Sequence, residues 1–461
     1  MGNAEFEILA NNARRLYFRK NYKEATAIYE KMLEKAPAAW WLAMEAYRSI
    51  AKHSDQHKTQ VKATKYIAFT PNYAGNSYQK LLYSSSESHG FVTEGFNKIE
   101  INDSLVRQAS KGNKLIIHQH WLKEIYKDST DEASAINLVD SHISKLISLK
   151  CFGAKVFWSL HNLLDHDIPE YHKKACLYAM KRMSEISDKI FIHSSNGKSA
   201  LEALISSKID GQKFYLLEHP LYPELANDSE KTQPKELDKA KFNDNRITFS
   251  MVGMLRPYKG LQDFADAIQL LDTNFIRNKI RIIVAGRAMD PKGIEKIKTL
   301  QETHPNSIYL IPRELTNSEL SYIISESDII VAPYRAILTS GTYYAATSLR
   351  TATLAPSKGF LPEVLINNVD GFIYDGRISS LADSILSIAS RSKEQLAQIG
   401  HAAHNKNTKN TAENFSNRYF KEAEGSQKNE KSNSVFLHTG HESTRRHSGD
   451  FKKKLRRQPR R

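Results

Sequence analysis

The sequence predicts an α/β protein of two tandem doubly wound domains facing a cleft, with a small all-α segment before them and a disordered basic tail after them. Three observations carry this expectation. From about residue 62, short apolar runs alternate with amphipathic stretches, the pattern of parallel strands wrapped by helices. A polar stretch without apolar periodicity, 226–245, splits that alternation into two blocks of similar length. Composition also changes at both ends of the chain, where helical periodicity leads and a stretch poor in apolar residues closes.

The elements follow in chain order. Segment 1–60 is helical in pattern: Ala13, Leu16, Tyr17, Ala25, Tyr29, Met32 and Leu33 recur at three- and four-residue spacings, and Pro37 ends the run. Small side chains at Ala13 and Ala25 let two helices approach, and Tyr29 fills the groove between them. These positions and Pro37 resemble one tetratricopeptide repeat, with Trp40 and Trp41 opening a further helix; a capping helical hairpin is the alternative.

Domain 61–225 takes strands at Tyr66–Thr70, Leu115–His118, Lys155–Leu160, Lys189–His193 and Phe214–Leu217, with helices at 131–149 and 170–186 among the connections. The linker 226–245 follows. Domain 246–424 takes strands at Ile247–Val252, Ile280–Ala285, Ile308–Ile311, Ile329–Ala332, Ala352–Ala355 and Phe372–Tyr374. Its helices fit 260–272, 291–303, 316–326, 341–349 and 411–423. Two Rossmann-like blocks in tandem leave a cleft between them. The tail 425–461 is expected to be disordered.

Charge sharpens the picture. The chain carries 66 Lys+Arg against 51 Asp+Glu, a formal +15. Residues 421–461 hold 12 basic and 5 acidic side chains, so about half of the excess belongs to the end of the chain. Two cysteines, Cys151 and Cys176, exclude a disulfide framework and a four-cysteine zinc site. The amino terminus has no apolar signal core, no stretch approaches the ~18–20 apolar residues that span a bilayer, and Phe6 stands where a myristoylation signal takes Ser or Thr. A cytoplasmic protein is expected.

In open parallel sheets, ligands bind beyond the carboxyl ends of the strands, so the loops there are the places to search. After Ile247–Val252 comes Gly253-Met254-Leu255-Arg256-Pro257-Tyr258-Lys259-Gly260, which leads into a helix. Arg256 can grip two phosphate oxygens at once, Lys259 is a flexible point charge, and a helix amino terminus favours an anion. After Ile329–Ala332 comes Pro333-Tyr334-Arg335-Ala336-Ile337-Leu338-Thr339-Ser340-Gly341-Thr342. Thr339 and Ser340 sit at the N-cap position, and Gly341 admits a ligand close to the backbone. Two such loops in one block suit the two halves of a diphosphate.

In the first block, Lys155–Leu160 ends in His161-Asn162, followed by Asp165, His166 and Asp167. Histidine or aspartate here suits general acid–base work. The loop Pro71-Asn72-Tyr73-Ala74-Gly75-Asn76-Ser77 allows a tight turn and close approach of a sugar or phosphate at Gly75 and Asn76, or a plain turn. His118, His120 and Trp121 end another strand and offer an aromatic face beside polar groups; His-x-His alone does not define a metal site.

The layout, VGMLRPYKG, VAPYRAILTSG, LAPSKGFLPEV and DGFIYD resemble the GT-B glycosyltransferases of group 1, over about 65–395 and most strongly over 249–375. The resemblance implies a hexosyltransferase whose first domain takes the acceptor and whose second binds a UDP- or GDP-linked sugar. No cofactor and no metal are implied. Arg256 and Lys259 would neutralise the diphosphate, and Thr339, Ser340, Gly341 and Thr342 would donate to it from the helix start. Gly253, Gly359 and Glu363 would lie near the sugar or nucleoside, and His161 would face the donor sugar or its phosphate. His161, His166 and Asp167 are the candidate catalytic residues, the last two as possible bases. Gly75, Asn76, His118 and His120 form the acceptor or cleft loops.

Two departures from the family pattern stand out. Many retaining members place two glutamates eight residues apart here; the second position is Ala345, and no acidic residue occurs from Tyr334 to Leu361. The arginine expected after Gly253 is Met254. Stereochemistry is therefore left open between inversion and retention.

From Arg445 to Arg461 there are nine basic residues and one acidic one, a run suited to an anionic membrane surface and lacking the aromatic interleaving of specific nucleic-acid recognition. Expected partners are a nucleotide sugar, a saccharide or lipid-linked saccharide acceptor, an inner-membrane surface through residues 445–461, and a protein through the helical amino terminus. A non-catalytic adaptor with a degenerate transferase body and a sugar-nucleotide epimerase are the alternative functions.

Overall fold

The computed structural model describes residues 3–36, 45, 46, 49, 65–73, 75–100, 105, 114–164, 169–226, 231–240, 242 and 244–428. Trp40, Trp41, Asp165, His166, Asp167 and the tail beyond 428 lie outside the described residues.

Two six-stranded parallel sheets form the body. The first has the order β2-β1-β3-β4-β5-β6, with β1 at Lys65–Thr70, β2 at Phe91–Gly95, β3 at Lys114–Gln119, β4 at Lys155–Ser159, β5 at Lys189–Ile192 and β6 at Phe214–Leu216. The second has the order β12-β11-β10-β7-β8-β9, with β7 at Ile247–Val252, β8 at Ile280–Ala285, β9 at Ile308–Ile311, β10 at Ile329–Val331, β11 at Ala352–Pro356 and β12 at Phe372–Tyr374. One strand was not foreseen. β2 (FVTEG) buries Phe91 and exposes Val92 and Glu94, so as an edge strand it carries no apolar run to betray it.

Alternation along the strands assigns each face its core. Leu115, Ile117, Val156 and Trp158 turn toward Val139, Ile143 and Leu146 of helix Glu132–Cys151 and Ala179 and Met183 of helix Glu170–Ile186. Ile67, Ile116, Phe157 and Phe191 point the other way, against Tyr78 and Leu82 of the short helix Ser77–Leu82. That second face is completed by Phe415, Tyr419, Phe420 and Ala423. These belong to the final helix, Ala412–Lys428, which follows the second sheet in sequence but lies on the first.

The polar connection between the domains is anchored to the second one. Leu237, in a short turn of helix at Lys235–Leu237, is fully buried there, and Arg313 pairs with Glu236 and Glu319. At the amino terminus, helices Asn3–Phe18 and Tyr22–Lys35 form the expected hairpin, with Ala13 and Ala25 fully buried and Tyr29 seated between them. Among the described residues, no helix is long and apolar enough to cross a membrane.

Candidate functional site

In each sheet the strand order reverses once, and an open sheet leaves a crevice at that point. In the second sheet it lies between β7 and β10, and the two glycine-bearing loops leave from there. They are locked together. Gly260 has φ +81°, and an added Cβ would collide with the Pro333 carbonyl. The Arg335 amide donates to the Tyr258 carbonyl at 2.9 Å, and the Arg335 guanidinium holds Asp263 through two bonds of 2.9 and 2.7 Å. Tyr258 and Tyr334 lie parallel beneath.

This lock brings part of the predicted phosphate set together, with Arg256 on the neighbouring cleft. Lys259 Nζ stands 3.4 Å from Thr342 Oγ1, and Gly253 packs under the same ammonium. Ser340 caps the helix Gly341–Ser348, accepting from the Tyr343 amide at 3.0 Å, and its hydroxyl also bonds Tyr334 Oη at 2.8 Å. Ser340 thus serves the helix start, and Gly341 and Thr342 line the crevice. Thr339 Oγ1 and Arg256 Nε are buried without a hydrogen-bond partner.

A pocket of about 290 Å³ runs from Gly253, Gly341 and Thr342 to Gly75, Asn76 and Tyr78 of the first domain. Glu224 and Ala345 line it together. Asn76 is also structural: its side chain caps the helix Ser77–Leu82 by accepting from the Gln79 amide.

The larger cleft, about 630 Å³, joins the same loops to the strand ends of the first sheet. Arg256, Tyr258 and Arg287 face it from the second domain; Tyr73, Asn76, His120, Trp121 and His161 face it from the first. Trp121 stacks on His161 with ring centroids 4.3 Å apart, and Tyr73 leans on Trp121 at 4.8 Å. The Tyr73 hydroxyl donates to Glu124 at 2.6 Å, fixing this aromatic platform. Burial pushes the Glu124 carboxyl up, but hydrogen bonds from Lys127 and Tyr73 outweigh it and hold it below the usual range.

Behind the platform runs a buried chain of hydrogen bonds. His161 Nε2 meets His120 Nδ1 at 3.1 Å, and His120 Nε2 meets the Tyr83 hydroxyl at 2.9 Å. Tyr83 also meets His118 Nδ1 at 2.8 Å, Tyr419 Oη reaches the same nitrogen at 2.9 Å, and His118 Nε2 bonds Ser159 Oγ at 2.9 Å. Tyr83 has one proton to give and two histidines to serve. If it donates to His118, it accepts from His120, which in turn accepts from His161 Nε2 and leaves His161 Nδ1 a bare base. If it donates to His120, every bond reverses and His161 Nδ1 carries the proton. The direction of one phenol O–H is thus tied to the tautomer at the cleft, and passing from one arrangement to the other takes proton transfer along the chain.

Burial governs these rings. It pulls His118, His120 and His161 well below the usual imidazole value, with neighbouring histidines adding to the effect. It brings His193 down to about 4 and His219 to about 3. All five are neutral near pH 7. His118 sits beneath the cleft rather than in it, fully buried between Phe157, Phe191 and Tyr419. Among the described residues, no group of three or more His, Cys, Asp or Glu side chains is arranged to hold a metal ion.

Two further predicted residues are occupied structurally. Gly359 has φ +57°, and a Cβ there would strike the Ile337 carbonyl. Glu363 reaches across to the first domain, where it accepts from the Ser195 amide at 2.8 Å, the Ser195 hydroxyl at 2.6 Å and the Asn196 amide at 3.1 Å. It meets the amides at the start of the helix Asn196–Ile205 and joins the two domains.

Solved structures share this two-sheet, cleft-forming arrangement, the GT-B fold. Anabaena HepE in complex with UDP-glucose superimposes with a TM-score of 0.56 at 12% identity, covering 78% of this chain and 99% of that one. A glycosyltransferase from Rickettsia africae gives 0.56 at 15% identity, covering 80% and 100%. An E. coli structure described as trehalose-6-phosphate bound with UDP-2-fluoro glucose gives 0.57 at 10%, covering 79% and 99%. No curated protein sequence matches the chain. At the level of the family, residues 232–406, which hold both phosphate-loop candidates, match the family model of glycosyl transferases group 1.

Proposed function

We propose that this protein transfers a sugar from a nucleoside-diphosphate donor to a saccharide hydroxyl. The observation that carries the reading is the meeting of Gly253, Lys259, Gly341 and Thr342 at the switch point of the second sheet, across the cleft from neutral His161. The match of 232–406 to group 1 glycosyl transferases and the UDP-glucose held by the similar Anabaena protein support it.

In this reading Lys259, Arg256 and the helix start at Gly341 stabilise the charge that grows on the departing diphosphate. Thr339 Oγ1 and Arg256 Nε, buried and unpartnered, gain partners in the donor complex. Glu224 takes ribose hydroxyls in place of the carboxylate absent at Ala345. The acceptor sugar packs on Tyr73 and Trp121, and His161 Nδ1, in the tautomer that leaves it bare, takes the hydroxyl proton of an inverting transfer. The reaction needs no metal on this account, because the diphosphate charge is met by protein cations and helix dipole.

Synthesis of surface polysaccharide or glycolipid suits a saccharide acceptor. A cytoplasmic enzyme drawn to the inner membrane face by the basic residues 445–461 suits the charge distribution. The amino-terminal hairpin is a tetratricopeptide-like element for a protein partner. A thermal-shift screen of nucleotide sugars, followed by turnover with and without oligosaccharide acceptors, tests the reading. Stabilisation by a UDP- or GDP-sugar and acceptor-dependent release of the diphosphate are expected. Acceptor-independent conversion of the sugar would instead identify an epimerase, and no nucleotide-sugar binding would remove the enzymatic reading.

A further inference from the structure

The run of groups from His118 to His161 obeys a proton count. Its three hydrogen bonds join His118 Nδ1 to Tyr83 Oη, Tyr83 Oη to His120 Nε2, and His120 Nδ1 to His161 Nε2, at 2.8, 2.9 and 3.1 Å. Each bond needs one hydrogen between its two heavy atoms. A neutral imidazole carries its single N–H on one side or the other, and Tyr83, bonded to both histidines, donates to one and accepts from the other. A reversal within the run leaves two lone pairs or two hydrogens face to face. His118 and His120 are at most 1% exposed, so such a mismatch has the full cost of an unpaired buried polar group. Burial also keeps the three imidazoles neutral near pH 7, and only their tautomers are left to be set.

The far end of the run decides which way it points. His118 Nδ1 is met by a second phenol, Tyr419 Oη, 2.9 Å away on the final helix, Ala412–Lys428. A phenol is a better donor than acceptor, because the ring draws on its oxygen lone pair, and a bare imidazole nitrogen is a good acceptor. Two phenols converging on Nδ1 therefore favour a lone pair there. The His118 hydrogen then sits on Nε2 and goes to Ser159 Oγ at 2.9 Å, which can also receive the longer contact, 3.4 Å, from Tyr78 Oη. With His118 Nδ1 accepting, Tyr83 donates to it and accepts from His120 Nε2. His120 Nδ1 is left bare and accepts from His161 Nε2.

We infer that Tyr83 and Tyr419 are positioning residues, which together hold His161 in the tautomer with its hydrogen on Nε2 and a lone pair on Nδ1. The inference rests on the reading in which His161 takes the acceptor proton, and it names what keeps that histidine in its proton-accepting form. Neither phenol is among the residues lining the cleft, so both act through His118 and His120.

The test is nitrogen-15 NMR of the full chain labelled at histidine, with the His161 signals assigned by their loss in His161→Gln. The parent should carry the His161 hydrogen on Nε2 and none on Nδ1. In Tyr83→Phe the ring can still stack on Phe69, at 4.4 Å between centroids, but an N–H on His120 Nε2 has no acceptor. His120 should then move its hydrogen to Nδ1, and His161 should gain one on Nδ1. With that change kcat for sugar transfer should fall about tenfold, while KM for the nucleotide sugar stays within about twofold. Tyr419→Phe leaves Tyr83 in place and should give mixed His161 tautomers, with kcat lowered about two- to threefold. A parent with the hydrogen on Nδ1 overturns the assignment, as does an unchanged His161 tautomer in either folded variant, whatever happens to kcat. The NMR needs no turnover, so absence of transfer from any nucleotide sugar would count against the transfer reaction alone.

Discussion

Across the cleft, the two domains handle charge in opposite ways. The first domain gathers His118, His120, His161, His193 and His219 around its strand ends and keeps all five uncharged by burying them. The second opens Arg256 and Arg287 to the cleft and sets a half-buried Lys259 beside Thr342 at the start of a helix. In the proposed transfer, a neutral His161 would take the proton and fixed positive charge would bind the diphosphate. On that proposal, a substrate would meet both tasks only where the domains face each other.

Acid should break the first half of this comparison most strongly. For each buried histidine the folded-state value lies below the unfolded value of about 6.5, so the unfolded chain binds more protons as pH falls. Stability is full above about pH 6.5 and is lost as pH falls toward about 4, the value for His193. Each histidine contributes a change of about tenfold per pH unit in the unfolding equilibrium within that window. Urea midpoints measured between pH 7.5 and 5 should drop steeply. A flat profile would show that the rings titrate normally.

His161→Ala comes next. Loss of a proton acceptor should lower kcat by about 10²–10⁴-fold while nucleotide-sugar affinity changes little, as read from turnover and titration in parallel. Lys259→Ala should do the reverse, weakening UDP-sugar binding by about 10–100-fold, the worth of a charge-assisted contact. Equal losses of affinity in both variants would erase the division between the domains. Ser340→Ala removes a cap and should cost about 1 kcal/mol of stability by urea melting, with Tyr334 losing its partner. Glu363→Ala is the mildest, at about 0.5 kcal/mol, because that bridge is open to solvent; X-ray scattering should show a larger radius as the domains part.

Legibility in the sequence followed the range of the interaction. β7 to β9 and the helices that flank them declared themselves through local periodicity, and the glycine-bearing loops declared themselves through composition. β2 did not, since an edge strand has little apolar content to show. The hydrogen-bonded histidine chain was half visible: His118, His120 and His161 stood at strand ends, but Tyr419 lies 301 residues from His118 and reaches it only through the returning helix. His193 and Tyr83 gave no signal, as each is an ordinary residue until the fold supplies its surroundings. The contact of Glu363 with the amides of Ser195 and Asn196 was equally hidden, because the partners lie in the other domain, 168 and 167 residues away.

The returning helix also bears on how the protein is made. A ribosome releases the strands of the first sheet early, yet one apolar face, with Ile67, Ile116, Phe157 and Phe191, receives Phe415, Tyr419 and Phe420 only when synthesis is nearly complete. Through most of translation that face is covered only by the short helix Ser77–Leu82, and the rest is the kind of surface that draws chaperones and sticks to other nascent chains. The first domain therefore cannot finish folding on its own schedule, and a stop codon placed before residue 412 should yield aggregates even though every strand of both sheets is present in the sequence of such a chain.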